Sequence, residues 1–191
     1  EMVPDAICAL DLGTGSGIIA ALLASEGLTV VGIDNHAEWL PAWNQTISRS
    51  TPVGSFSLIQ TDVRTFESID KFDLVLTNPP FFPAGSGPVS PNQWKAAARS
   101  ELSATLADFV RAGLTHLAES GKMLVVVPRE RVEDVVISAK AVGGHHARTV
   151  FIGARRVIVV LDWQSSSHTS VSVDDHGPEV EGWYQRVGCQ T

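Results

Sequence analysis

Asn78-Pro79-Pro80-Phe81 brings a side-chain amide, a backbone carbonyl and an aromatic ring together in one short turn. A nitrogen attached to a π-system is a poor nucleophile, because its lone pair is delocalised. A protein can help by accepting hydrogen bonds from both of its N–H groups, which favours the pyramidal transition state. Asn78 offers its side-chain carbonyl and Pro79 its backbone carbonyl, and successive prolines fix φ and hold both acceptors still. Phe81 offers a ring on which a flat group can stack. No strong general base is required, since the extra proton becomes acidic only after substitution. On this reading Asn78, Pro79 and Phe81 form a reacting site, with Phe82 beside it. The alternative is a proline-rich strand end with a core phenylalanine.

Asp11-Leu12-Gly13-Thr14-Gly15-Ser16-Gly17 follows an earlier apolar run and precedes an Ala-rich one. Glycines in a strand-to-helix turn let the backbone approach a ligand closely, and the helix start supplies free N–H groups. The spacing G-x-G-x-G differs from the G-x-G-x-x-G fingerprint of dinucleotide folds. Alone it is also explained by a tight turn. Asp34 ends the next apolar run, where a carboxylate can accept from both hydroxyls of a ribose. Asp62-Val63 follows the third, where Asp62 can take an adenine amine and the Val63 N–H a ring nitrogen. Each acid alone also reads as a cap or turn residue. In this order, each at a strand's C-terminal end, Asp11, Gly13, Gly15, Asp34, Asp62 and Val63 read as a cofactor site. NAD is the competing cofactor, and the Asn-Pro-Pro turn argues against it.

The loop and the turn together resemble the class I S-adenosylmethionine (SAM)-dependent methyltransferases that act on exocyclic or amide nitrogens. The stretch Asn78-Pro79-Pro80-Phe81-Phe82, then Gly85, then Ala98-Arg99-Ser100-Glu101, is most similar to the bacterial tRNA (adenine-N6) methyltransferase family. The family's usual tyrosine is Phe81 here, and its usual histidine is Ser100. The resemblance implies a Rossmann-like, doubly wound, mostly parallel seven-stranded α/β sheet with an antiparallel strand near its edge. It implies SAM as cofactor, S-adenosylhomocysteine as product, and adenine N6 in RNA, tRNA above all, as the methyl acceptor in the cytoplasm. Arg99 would then bind a backbone phosphate or pair with an acid such as Glu101. Three other readings stay open: N5-glutamine methylation of a protein such as a release factor, guanine-N2 methylation of ribosomal RNA, and an inactive SAM-binding assembly module.

Composition bounds these readings. The chain has 191 residues, 44% hydrophobic and 18% charged, enough for one domain with a full core. No apolar stretch reaches the roughly 20 residues that span a bilayer, so no membrane partner is expected. Cys8 and Cys189 form no metal-binding or disulfide pattern, and His145-His146, after Gly143-Gly144, reads as a surface pair in a loop, so no metal is expected. The formal net charge of -7 excludes a general nucleic-acid coat. An RNA substrate then requires clustering of the basic residues of the second half, Lys95, Arg99, Arg129, Arg131, Arg148, Arg155 and Arg156; a solvated charged surface is the alternative. The oligomeric state is not legible.

These residues need a frame to hold them. Apolar runs at Ala6–Leu12, Thr29–Ile33, Ser57–Gln60, Phe72–Thr77 and Met123–Val127 predict strands of a parallel sheet covered on both faces. Helical spacing predicts helices at Ile18–Glu26, Ala37–Ser48, Leu102–Ala118 (closed by Gly121) and Val132–Val142. Arg148–Ile152 and Val157–Trp163 are too close for a helical crossover and predict an antiparallel hairpin. The proline- and glycine-rich segment after Pro80 reads as a substrate-facing loop. We expect a methyltransferase domain over residues 1–164, lacking an upstream segment, and a polar C-terminal extension over 165–191, with a loop at Ser165–Ser172.

Overall fold

The computed structural model describes residues 8–79, 104–153, 155–164 and 169–173. The strands are β1 Cys8–Leu12, β2 Thr29–Asp34, β3 Ser55–Gln60, β4 Phe72–Thr77, β5 Leu117–Pro128, β6 His145–Ile152, β7 Arg156–Asp162 and β8 Thr169–Val173. The helices are α1 Ile18–Ser25, α2 Leu40–Arg49, α3 Leu106–His116 and α4 Val132–Lys140, with single 3-10 turns at Ala37–Trp39 and Arg129–Arg131. One sheet holds all the strands in the order β3-β2-β1-β4-β5-β7-β6-β8. β7 runs antiparallel to both β5 and β6, and the remaining pairings are parallel. The seven strands read from the sequence are present with the one reversed strand near the edge, and β8 extends that edge.

Period-2 alternation divides the core between the two faces. Leu10, Leu12, Val75, Met123, Val125, Val157 and Val159 face α3 and α4, which contribute Phe109, Val110, Leu114, Val135 and Ala139. Ala9, Val30, Leu74 and Leu76 point the other way, onto Ala20, Leu23 and Ala24 of α1. α3 begins with a reciprocal capping box: the Thr105 side chain accepts from the Asp108 N–H, and Asp108 accepts from the Thr105 N–H. α4 ends at Lys140, and Gly143, with a φ of 84°, takes the left-handed position in the turn that follows.

Three local expectations are corrected. Gly121 does not close a helix: α3 ends at His116 and the chain passes straight into β5. Gly121 sits where the β4–β5 register slips between Phe72 and Leu74, and an added Cβ would lie 2.9 Å from the Asp73 carbonyl oxygen. That close approach between backbones is why the residue is glycine. His145 and His146 belong to β6 rather than to a loop. Thr169–Val173, which overlaps the stretch Ser165–Ser172 read as a loop, pairs with β6 instead. Among the described residues no helix is long and apolar enough to cross a membrane, and no group of three or more His, Cys, Asp or Glu is placed to hold a metal.

Candidate active site

The strand order reverses between β1 and β4, with β2 and β3 on one side and β5 onward on the other. At such a switch point the two connections leave in opposite directions and open a crevice at the C-terminal strand ends. Leu12 and Thr77 are paired across it. The Thr77 hydroxyl donates to the Leu12 carbonyl at 2.8 Å in a buried bond that joins the two ends. Asn78 emerges exposed just beyond, and Pro79 is buried behind it. Phe81, Phe82 and Arg99, the other residues assigned to the substrate side, lie outside the described residues.

The glycine loop wraps the end of β1. Gly13, Gly15 and Gly17 have φ of 72°, 56° and 80°, the left-handed region that glycine enters without steric cost. The Gly13 and Thr14 N–H groups both donate to the Ile33 carbonyl at 2.9 Å, which binds the loop to the end of β2. The first turn of α2 and the helix behind it clamp the loop from outside. The Trp43 indole N–H donates to the Gly15 carbonyl at 2.6 Å, and the Thr46 hydroxyl donates to the Ser16 carbonyl at 2.9 Å.

The three acids occupy different positions: Asp11 and Asp34 touch this loop, and Asp62 follows β3. Asp11 is 1% exposed and lies beneath the loop. It accepts from the Thr14 hydroxyl at 2.7 Å and from the Ala20 backbone N–H at the start of α1. Burial pushes its carboxyl up to about 6, against the pull of the Thr14 bond, with the charge of Asp34 adding to the rise. Asp34 bridges the loop to the next turn: one oxygen accepts from the Gly15 N–H and the other from the His36 N–H, each at 3.0 Å. Asp62 is held by a residue the sequence reading passed over. Arg64 donates to it from its backbone N–H at 2.8 Å, from Nε at 2.9 Å and from Nη2 at 2.6 Å. The Arg64 side-chain bond, ahead of all other effects, holds the Asp62 carboxyl below its ordinary value. Val63 is buried against the core on the α3 face.

Asp34, the glycine loop and Asn78 are thus brought to one edge of the sheet, while Asp11 supports that edge from below. Trp43, Thr46, Thr77 and Arg64 complete it. None of the four carries a spacing signal, since each acts across a fold contact or a local turn.

This edge falls within a match to a known family: a sequence profile of the methyltransferase small domain covers residues 4–142. The chain belongs to the methyltransferase small domain family. Relatives of this domain include proteins named tRNA1(Val) (adenine(37)-N6)-methyltransferase. The one from Tolumonas auensis is 29% identical over 77% of this chain and 62% of its own length. The one from Pasteurella multocida is 31% identical over 66% and 55%, and the one from Bacteroides thetaiotaomicron 26% identical over 68% and 55%. The chain thus spans little more than half the length of these curated relatives. Among solved structures, the domain superposes on a predicted O-methyltransferase from Agrobacterium tumefaciens with a TM-score of 0.64, at 15% identity over 96% of this chain and 92% of the other. It superposes on a ribosomal protein L11 methylase from Lactobacillus delbrueckii with a TM-score of 0.59, at 18% identity over 84% and 71%. At these identities the likeness is one of fold: a Rossmann-like methyltransferase sheet.

Proposed function

We propose that this domain catalyses SAM-dependent methyl transfer to the exocyclic N6 amine of an adenine in RNA, with tRNA as the substrate class and the cytoplasm as its place. The observation that carries the reading is the exposed Asn78 amide, tied by the Thr77–Leu12 bond to the end of the glycine loop, in a domain whose relatives bear the adenine-N6 name.

The residues fit SAM better than a dinucleotide. The G-x-G-x-G spacing from Gly13 to Gly17 departs from the dinucleotide fingerprint, and Asp11 and Asp34 make the surroundings negative, which suits a cationic sulfonium. Each Asp34 oxygen accepts one backbone N–H and keeps a second lone pair that a ribose hydroxyl can use. Asp62, fixed by Arg64, presents a carboxylate for an adenine amine, next to Val63. Gly13 and Gly15 would let the amino-acid part approach the backbone.

When bound, SAM supplies an electrophilic methyl group, so the chain needs no acid or base of its own to generate one. Its task is orientation. Asn78 accepts one N–H of the target amine, and the Pro79 carbonyl accepts the other. This favours the geometry in which the nitrogen lone pair is free to attack. The sequence reading gives Phe81 the role of stacking the base, and Phe82 and Arg99 that of binding substrate.

Labelled methyl from SAM, offered in parallel to total RNA and to protein extract, tests the proposal. The expected product is RNA label that digests to N6-methyladenosine and runs with tRNA. Label confined to protein would move the assignment to glutamine, and label in guanine of ribosomal RNA would move it to N2. SAM binding with no label in either would leave a binding module.

A further inference from the structure

We propose that the β5–α4 turn and the tip of the β6–β7 hairpin form a narrow phosphate-docking wall that holds the RNA backbone next to the target base. This rests on the RNA reading of the site and adds the surface that would recognise the substrate.

Topology places the wall. β7 is antiparallel, so its first residue lies at the same edge as the C-terminal ends of β1 to β5. Thr77 is level with Val125 of β5, whereas Pro128 and its partner Arg156 lie three residues farther along. The strands therefore rise about 10 Å above the floor where Asn78 emerges, some two strand spacings, or about 10 Å, to its side. A backbone passing over Asn78 toward β7 meets this wall.

The wall concentrates positive charge on an acidic chain. Of 14 Lys and Arg residues in a chain of net charge -7, Arg129, Arg131, Arg155 and Arg156 fall in these two short turns. Arg131 is paired with Asp134. Arg129, Arg155 and Arg156 are exposed, and among the described residues no acid is paired with Arg129 or Arg155. Arg129 is also preorganised. Its guanidinium carbon sits 4.7 Å from the centre of the Phe151 ring, and Nη2 donates to the Gly153 carbonyl at 3.2 Å. Its backbone N–H donates to the Arg155 carbonyl at 3.3 Å, tying the two turns together. A guanidinium held over a ring, with N–H groups to spare, matches a phosphate oxygen pair. Glu130 and Glu133 stand on the same turn and helix start. They keep the basic strip narrow, so two or three phosphates are expected rather than a long duplex.

The test compares the wild-type chain with the double variant Arg129→Gln/Arg155→Gln, using bulk tRNA as the probe over a salt series. Expected for the double variant is RNA affinity about tenfold lower at low salt, with a log–log salt slope shallower by about 1 to 2. The KM for tRNA should rise while kcat changes little, and SAM affinity and Tm should hold. Unchanged RNA affinity and slope in a variant that still methylates tRNA would overturn the wall and leave the proposed function standing. A wild-type chain that neither binds nor methylates tRNA but labels protein would overturn both.

Discussion

Asp11 and Asn78 show at the residue scale how one edge separates a supporting group from the proposed reacting one. Asp11 is buried with its carboxyl raised from an ordinary value of 3.8 to about 6. The folded chain therefore holds a proton there more tightly than the unfolded chain does. Between those two values stability falls as pH rises, and above about 6 the penalty is fully present. A displacement of about 2 units corresponds to at most ~3 kcal/mol. Asp11→Asn removes the titration, so wild-type stability minus that of the variant should fall by about 2 to 3 kcal/mol between pH 4 and pH 7.5, read by urea unfolding. An equal difference at both pH values would show that Asp11 ionises normally. Asn78, in contrast, is exposed. Asn78→Ala should leave Tm and SAM affinity nearly unchanged and lower turnover by about a hundredfold, the scale of one oriented transition-state contact. Wild-type turnover in that variant would remove Asn78 from the reaction.

Among the elements, the glycine loop is legible in part and for a physical reason. Its position follows from an apolar run that ends in polar and small residues, and the same signal marks Asp34, Asp62 and Asn78. What clamps the loop is not legible: Trp43 and Thr46 act through a helix whose contacts exist only once it packs. Arg64 reaches back two residues to Asp62, which only a turn conformation permits. β8 escaped because Thr169–Val173 alternates polar residues with valine, and an edge strand needs no continuous apolar run. Gly121 was misread because glycine marks helix ends and close backbone approaches alike. Gly17 combines a left-handed backbone with a tight side-chain contact. It has φ of 80°, and an added Cβ would lie 2.6 Å from Leu58 Cδ1. Gly17→Ala should cost about 2 to 4 kcal/mol, combining backbone strain with overpacking. Trimming the neighbour in Gly17→Ala/Leu58→Ala should recover the steric part alone, seen as non-additivity in a double-mutant cycle. Strict additivity of the two substitutions would mean that the loop shifts away from β3 instead of pressing on it.

On the scale of the whole molecule, the sheet is two wings joined at the β1–β4 seam, and the proposed cofactor residues lie on the β1–β3 wing while Asn78 lies on the other. A ligand seated across the loop, Asp34 and Asp62 binds the folded state alone, because nothing in the unfolded chain holds these groups together. It must therefore stabilise the whole fold by mass action, about 2.7 kcal/mol at a concentration 100 times its Kd. For a chain of this size that is a rise in Tm of roughly 5 to 10 °C. SAM and S-adenosylhomocysteine should both produce it, since they share the amino-acid, ribose and adenine parts, and NAD should not. Asp34→Ala should abolish the rise. It should also lower the starting Tm, because Asp34 holds the Gly15 and His36 N–H groups whether or not a ligand is present. The separation of these two effects is informative. A variant with a lowered starting Tm and an undiminished ligand shift would confine Asp34 to shaping the loop, and a shift with NAD as large as with SAM would overturn the cofactor assignment without any appeal to turnover.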